Sequence, residues 1–171
     1  DAVSVGPWNE TARYLRESEA KEGFLPKVKD LVPNLTVADA YKIQNSFIQL
    51  MNKGAVIAGY KAGFTGVEGR EEFELQHPVS GVLFEGCGYE DGVVISLSEH
   101  PGLMLEMELG FRLKKRLKNR LKDAKDLDGL ISDALPVIEL PHLKFKNLEG
   151  ITGVDLVSTN MAAACWVEGD P

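Results

Sequence analysis

The spacing of apolar residues changes along the chain and divides it into a helical start and a strand-rich remainder. Residues 10–22 (ETARYLRESEAKE) are polar with sparse apolar positions, which predicts a surface helix. The stretch LPKVKDLVPNL is broken by Pro26 and Pro33 and reads as a loop. Val37, Ala40, Tyr41, Phe47, Ile48 and Met51 then fall at helical spacing, with Asp39, Lys42, Asn45, Gln49 and Asn52 on the opposite side. Thr36 is a suitable N-cap, Asp39 sets a carboxylate at the positive end, and Gly54 is a natural stop.

From Ala55 the period shortens. AVIAGYKAGF predicts a strand, TGVEGREEFELQ a polar loop, and SGVLFEG and DGVVISL two short strands bounded by glycine. Residues 103–114 form the longest predicted strand. Leu103, Leu105, Met107, Leu109, Phe111 and Leu113 alternate with Met104, Glu106, Glu108, Gly110, Arg112 and Lys114. KRLKNRLKDAKDLDG is charged and reads as an exposed face. Asp126 to Leu135 has Leu127, Leu130, Ile131 and Ala134 at helical spacing, with Pro136 ending the helix and VIEL opening another strand. Many strands, few helices and no regular β-α alternation predict an α+β fold on mixed or antiparallel sheets. Residues 1–54 are the helical region and 55–171 the β-rich region of one domain, a division that suits 171 residues.

The apolar share of 44% and charged share of 26% are those of a globular domain, and no apolar run approaches the roughly 20 residues of a membrane span. A net charge of −7 argues against nucleic acid as partner. Cys87 and Cys165 lie far apart in sequence without CxxC or Cys/His clustering, so two thiols are expected rather than a zinc site. The first methionine is Met51, which leaves a processed or trimmed start open; a cytoplasmic location is the expectation, with a removed signal peptide as the other possibility.

The chemistry gathers on carboxylates in apolar strands. Glu106 and Glu108 share one strand face, and Glu139 lies within PVIELP. Ionised carboxylates are costly to bury without compensation, and close together they raise one another's pKa. A hard divalent cation removes that conflict. The plainer alternative is a polar strand face paired by Arg112 or Lys114, and spacing alone does not show that the three glutamates meet.

LTVADAYKIQNSFI, GYKAGFT, HPVSGVLFEG, LEMELGFRL, PVIELP and STNMAAA follow in order over about residues 35 to 164. In these motifs the chain resembles the 2-keto-4-pentenoate hydratase branch of the fumarylacetoacetate hydrolase superfamily. The resemblance implies a mixed β-sheet roll with an N-terminal helical region. It also implies Mg²⁺ or Mn²⁺, with Ca²⁺ as a stand-in, on Glu106, Glu108 and Glu139. It implies a catalytic Lys61 and a substrate pocket that includes the Gly81–Phe84 turn, hence Leu83 and Phe84. Where such proteins show an Asp and an Arg after the third glutamate, this chain has His142 and Lys144, and His142 becomes a third substrate-binding candidate. Val79 and Ser158-Thr159-Asn160 also depart from the pattern, and the chain stops where such proteins continue, as a truncated or divergent member would. The implied activity is hydration of a small 2-oxo or 2-hydroxydienoic acid through a metal-bound enolate, in a homo-oligomer with neither nucleic-acid nor membrane partner. C–C hydrolysis, 2-oxo acid decarboxylation and a weakly catalytic binding or assembly role are the alternatives. Lys61→Met is expected to leave melting near normal and to weaken oxalate binding at least tenfold.

Overall fold

A computed structural model describes residues 7–51, 54–98, 100, 102–127 and 129–171. Two long helices open the chain, α1 (Pro7–Glu22) and α3 (Val37–Met51), with the short α2 (Val28–Leu31) between them. The first begins earlier than the apolar spacing indicates, at Pro7, a residue suited to a first helical turn. Asn52, predicted on the polar side of α3, lies outside the described residues, as does Asp128. Val28, fully buried, seats α2 in what the two flanking prolines made look like plain loop.

Two sheets follow. β1 (Ile57–Gly63) and β2 (Val79–Phe84) form an antiparallel pair, and α4 (Val67–Glu72) links them. The polar TGVEGREEFELQ segment therefore holds a helix, one with no buried residue and hence no apolar stripe to announce it. β3 (Gly88–Glu90), β4 (Glu106–Leu113), β5 (Ile131–Leu140) and β6 (Cys165–Glu168) form the second sheet in the order β3-β6-β5-β4. It is mixed, since β3 runs parallel to β6 and the other pairings are antiparallel. α5 (Gly153–Ser158) precedes β6.

Two predicted elements are corrected. DGVVISL is not a strand: the β segment is Gly88–Glu90, and Val94 stands 94% exposed without a ladder partner among the described strands. Asp126–Leu135 is not a helix. A 3₁₀ turn covers Ala124–Leu127, and Ile131 onward belongs to β5, which pairs with β4 along its whole length. Cross-strand pairing overrides the helical spacing of Leu127, Leu130, Ile131 and Ala134. Pro136 is tolerated inside β5 because β6 has ended there; its carbonyl accepts from the Gly169 N–H at 3.0 Å, on the side where its own missing N–H would point.

The core lies between the helices and the β1-β2 pair. Leu15, Val28, Ala40, Ile43, Phe47, Leu75, Val79 and Val157 are buried in it together. β4 is outside that core. Its apolar side chains Met107, Leu109 and Phe111 are 87%, 61% and 55% exposed.

Candidate metal centre

Strand register brings the carboxylates together. Antiparallel pairing sets Glu106 directly opposite Glu139 and Glu108 opposite Val137. Side chains two apart on a strand share a face, so Glu106, Glu108 and Glu139 project to one side. One carboxylate oxygen from each lies within 4.8 Å of the other two. Glu139 is buried and Glu108 exposed, with Glu106 between them. Burial is the main cause raising the Glu139 pKa; Lys61 opposes it, and the negative charges of Glu106 and Glu108 add to it.

Lys61 comes from the other sheet. Its ammonium forms an ion pair with Glu139 Oε1, both side chains being nearly out of solvent at 9% and 5% exposure. It also donates to the Met161 carbonyl at 3.2 Å. Glu139 Oε1 is buried, yet its contact with Lys61 lacks the geometry of a hydrogen bond, so the oxygen is electrostatically paired but has capacity to spare.

The Met161 carbonyl is aimed by an unusual stretch of backbone. Asn160, Met161 and Ala162 all have left-handed φ, at 60°, 56° and 53°. That conformation is costly for residues with a Cβ and persists only when its surroundings enforce it. Asn160 supplies the restraint: its side chain accepts from the Val82 N–H at 2.7 Å and donates to the Val82 carbonyl at 2.9 Å. Gln44 adds a second clamp, donating to the carbonyls of Ser80 (3.0 Å) and Val157 (2.9 Å). Gly81, opposite Lys61 in the ladder, makes the approach possible, because a Cβ there would stand 2.8 Å from the Asn160 carbonyl oxygen.

A cavity of about 420 Å³ opens beside the cluster. Lys61 and Glu106 line it together with Phe64, Phe73, Leu156 and Met161. Three sequence candidates do not line it. Leu83 and Phe84 pair with Gly59 and Ile57, at the far end of the β1-β2 ladder from Gly63, which does line the cavity. Strand length carries them past the site. His142 directly follows Pro141 of the wall, with its backbone N–H given to the Ala162 carbonyl at 2.9 Å. Asn160, Gln44 and the Met161 carbonyl were not among the candidates. The one sequence signal was the asparagine of Ser158-Thr159-Asn160, since asparagine is among the few side chains that favour left-handed backbone.

Fold and site thus define a class, an α+β protein with three strand-borne glutamates and a buried lysine at one cavity. No family profile matches the chain. It is 26% identical over 161 residues to the 2-keto-4-pentenoate hydratase of Paraburkholderia xenovorans, a match covering 94% of this chain and 60% of that protein. It is 24% identical over 164 residues to the 2-oxo-hept-4-ene-1,7-dioate hydratase of Escherichia coli, covering 92% and 61%. In three dimensions it resembles the 4-oxalocrotonate decarboxylase of Pseudomonas putida G7 complexed with magnesium and adipate, with a TM-score of 0.85 at 22% identity over 98% of this chain and 64% of that one. The same enzyme complexed with calcium and acetate gives 0.83 at 21% identity, over 98% and 63%. The chain is related to the 2-keto-4-pentenoate hydratase-like branch of the fumarylacetoacetate hydrolase superfamily and has its fold. It spans about 60% of the length of the curated relatives it matches.

Proposed function

We propose that this chain carries the metal and substrate site of a divalent-metal-dependent hydratase or lyase for small 2-oxo or 2-hydroxydienoic acids. The observation that carries the reading is the convergence of Glu106, Glu108 and Glu139 within 4.8 Å beside the buried Lys61. The donor set fits a hard cation. It is all oxygen, and the buried Glu139 Oε1 has no hydrogen bond of its own. Mg²⁺ or Mn²⁺ is the proposed ion, and relatives named as hydratases, with a decarboxylase neighbour complexed with magnesium, support it.

Glu106, Glu108 and Glu139 would hold the ion, which supplies a Lewis acid for charge developing at the 2-oxygen of the acid. Lys61, the one cation among the described residues of the cavity wall, would meet the substrate carboxylate or carry a proton at Nζ. The Met161 carbonyl and the ion pair with Glu139 hold that ammonium in place. Phe64, Phe73 and Leu156 reduce water around the reacting carbons. Hydration and decarboxylation both use this arrangement, and the hydratase names among the relatives put hydration first.

No helix among the described residues is long and apolar enough to cross a membrane, and the location proposed is cytoplasmic. The exposed apolar side of β4 supports a homo-oligomer, which sedimentation would measure.

The test is calorimetric titration with MgCl₂, alone and with oxalate, followed by turnover of 2-hydroxypenta-2,4-dienoate. Metal binding abolished by Glu108→Gln, and oxalate binding only in the presence of Mg²⁺, are expected. Oxalate binding unchanged by EDTA would refute the reading.

A further inference from the structure

We propose that the cavity selects a 2-oxo acid with one carboxylate and an apolar tail, and discriminates against the dicarboxylate of the same length. The inference rests on the reading above, in which the acid end of the ligand lies at the glutamate cluster and Lys61.

The cavity lining is of two kinds. Lys61 and Glu106 are its charged members. The remaining wall is set by Phe64, Phe73, Leu148, Ile151, Leu156 and Met161. Lys61 is the one cation among the described residues of the wall, and it is already paired with Glu139. Arg70 stands nearby in sequence, but its guanidinium donates to the Phe64 and Thr65 carbonyls at 3.0 and 2.6 Å and is not part of the wall. Lys29 is committed likewise, to the Gly150 carbonyl. Of the buried polar groups close in sequence to this wall, Thr152 and Asp155 bond one another, the Thr159 hydroxyl donates to the Asp155 carbonyl and the Asn160 amide is spent on Val82; Ser158, whose buried hydroxyl has no hydrogen-bond partner, is not a wall residue.

A second carboxylate at the tail would thus lose water against phenyl and aliphatic side chains, with no further cation among the described residues of the wall to replace it. An ionised group in that position is strongly disfavoured, while a methyl group gains from leaving water. Apolar pockets separate substrates differing by a methylene only weakly, so tail length should matter far less than tail charge. The volume of about 420 Å³ falls within the range of small-molecule sites and accepts a chain of this kind beyond the oxo acid head.

The experiment is calorimetric titration of the chain in saturating MgCl₂ with oxalate, 2-oxohexanoate and 2-oxoadipate. The last two have equal length and differ only in the terminal carboxylate. At least tenfold tighter binding of 2-oxohexanoate than of 2-oxoadipate is expected. In Leu148→Lys, which adds a cation at a half-exposed wall position, that ratio should fall at least threefold. Oxalate carries the head chemistry without a tail, so it separates the two layers of the argument. Oxalate binding with equal or tighter 2-oxoadipate overturns the tail selectivity and leaves the metal reading standing. An unchanged ratio in Leu148→Lys overturns the assignment of the tail to this wall. Failure of oxalate to bind with Mg²⁺ present overturns the underlying reading and the inference with it.

Discussion

Replacing Lys61 by methionine tests the geometry of the cluster more directly than any other single change. Sequence alone marks the substitution as mild, because strand lysines are usually surface groups. In the structure the side chains of Lys61 and Glu139 are 9% and 5% exposed, and they form an ion pair. Methionine keeps the apolar stem but leaves Glu139 buried beside two further carboxylates with no positive partner. Removing one member of a buried pair typically costs about 3–5 kcal/mol, since the remaining charge keeps its desolvation penalty. For a chain of 171 residues, about 2–4 °C of melting temperature per kcal/mol converts this to a fall of roughly 6–20 °C. Mg²⁺ should then stabilise the variant more than the wild type, because it meets a cluster stripped of its internal cation. A ligand at a hundred times its Kd contributes about 2.7 kcal/mol. Lys61→Met/Glu139→Gln should be less destabilised than Lys61→Met alone, since the stranded charge is gone. The assay is urea unfolding followed by circular dichroism, with EDTA or MgCl₂. A loss below about 0.5 kcal/mol, the range of ordinary surface changes, would refute the burial argument.

Gly81→Ala places a methyl group 2.8 Å from the Asn160 carbonyl oxygen and 3.1 Å from Lys61 Cγ, so overpacking of about 1–3 kcal/mol is expected in urea unfolding. Thr36→Ala removes the hydroxyl that accepts the Asp39 N–H at the start of α3 and should cost about 1 kcal/mol by thermal melting. The Thr36 hydroxyl, then Lys42, holds the Asp39 carboxyl below its ordinary range. Its contribution is thus present above about pH 4 and lost as pH falls through the lowered folded value, so the stability gap between wild type and Asp39→Asn should shrink in acid titration. Burial pushes the Cys165 thiol up, and Cys87 adds to the shift. In single-cysteine variants at pH 7.5, Cys165 should react with a thiol reagent several-fold more slowly than an exposed cysteine peptide, and equal rates would count against its burial.

The helix α3 was legible because it buries Ala40, Ile43 and Phe47 at helical spacing, and the strands β1, β2 and β4 because apolar residues alternate or cluster along them in the sequence, although β4 is exposed on both faces. Glu106 and Glu108 were legible as a same-face pair for the same reason. Glu139 was visible as a carboxylate in an apolar strand, but its meeting with the other two depends on the β4-β5 register, in which it falls opposite Glu106. The approach to β5 and its first residues mislead, since Leu127, Leu130, Ile131 and Ala134 carry helical spacing while Ile131 and Ala134 find cross-strand partners in β4. α4 left no trace because it buries nothing. The pocket wall was the least legible part. The family resemblance points to Leu83 and Phe84 through a single motif, whereas the side chains lining the cavity come from separate segments around Phe64, Phe73, Leu148 and Met161. Only tertiary packing joins these.

The charge balance of the cluster ties its parts into one argument. Glu106, Glu108 and Glu139, taken ionised, carry three negative charges, and Lys61 carries one positive charge against Glu139. The cluster so counted carries two net negative charges, which a single divalent cation neutralises. A hydrophobic pair in place of Lys61 and Glu139 would often be as stable or more so, so stability alone does not account for charges at this depth. The surrounding scaffold also costs free energy. Three consecutive left-handed residues, an asparagine spent on one backbone group pair and a glycine kept free of a side chain all serve to set the Met161 carbonyl against the lysine. Strain of this kind persists where neighbouring contacts over-determine it, and such places cluster at binding sites. Here it positions Lys61, the one cation among the described residues of the wall, between a carboxylate-rich strand pair and a largely apolar cavity.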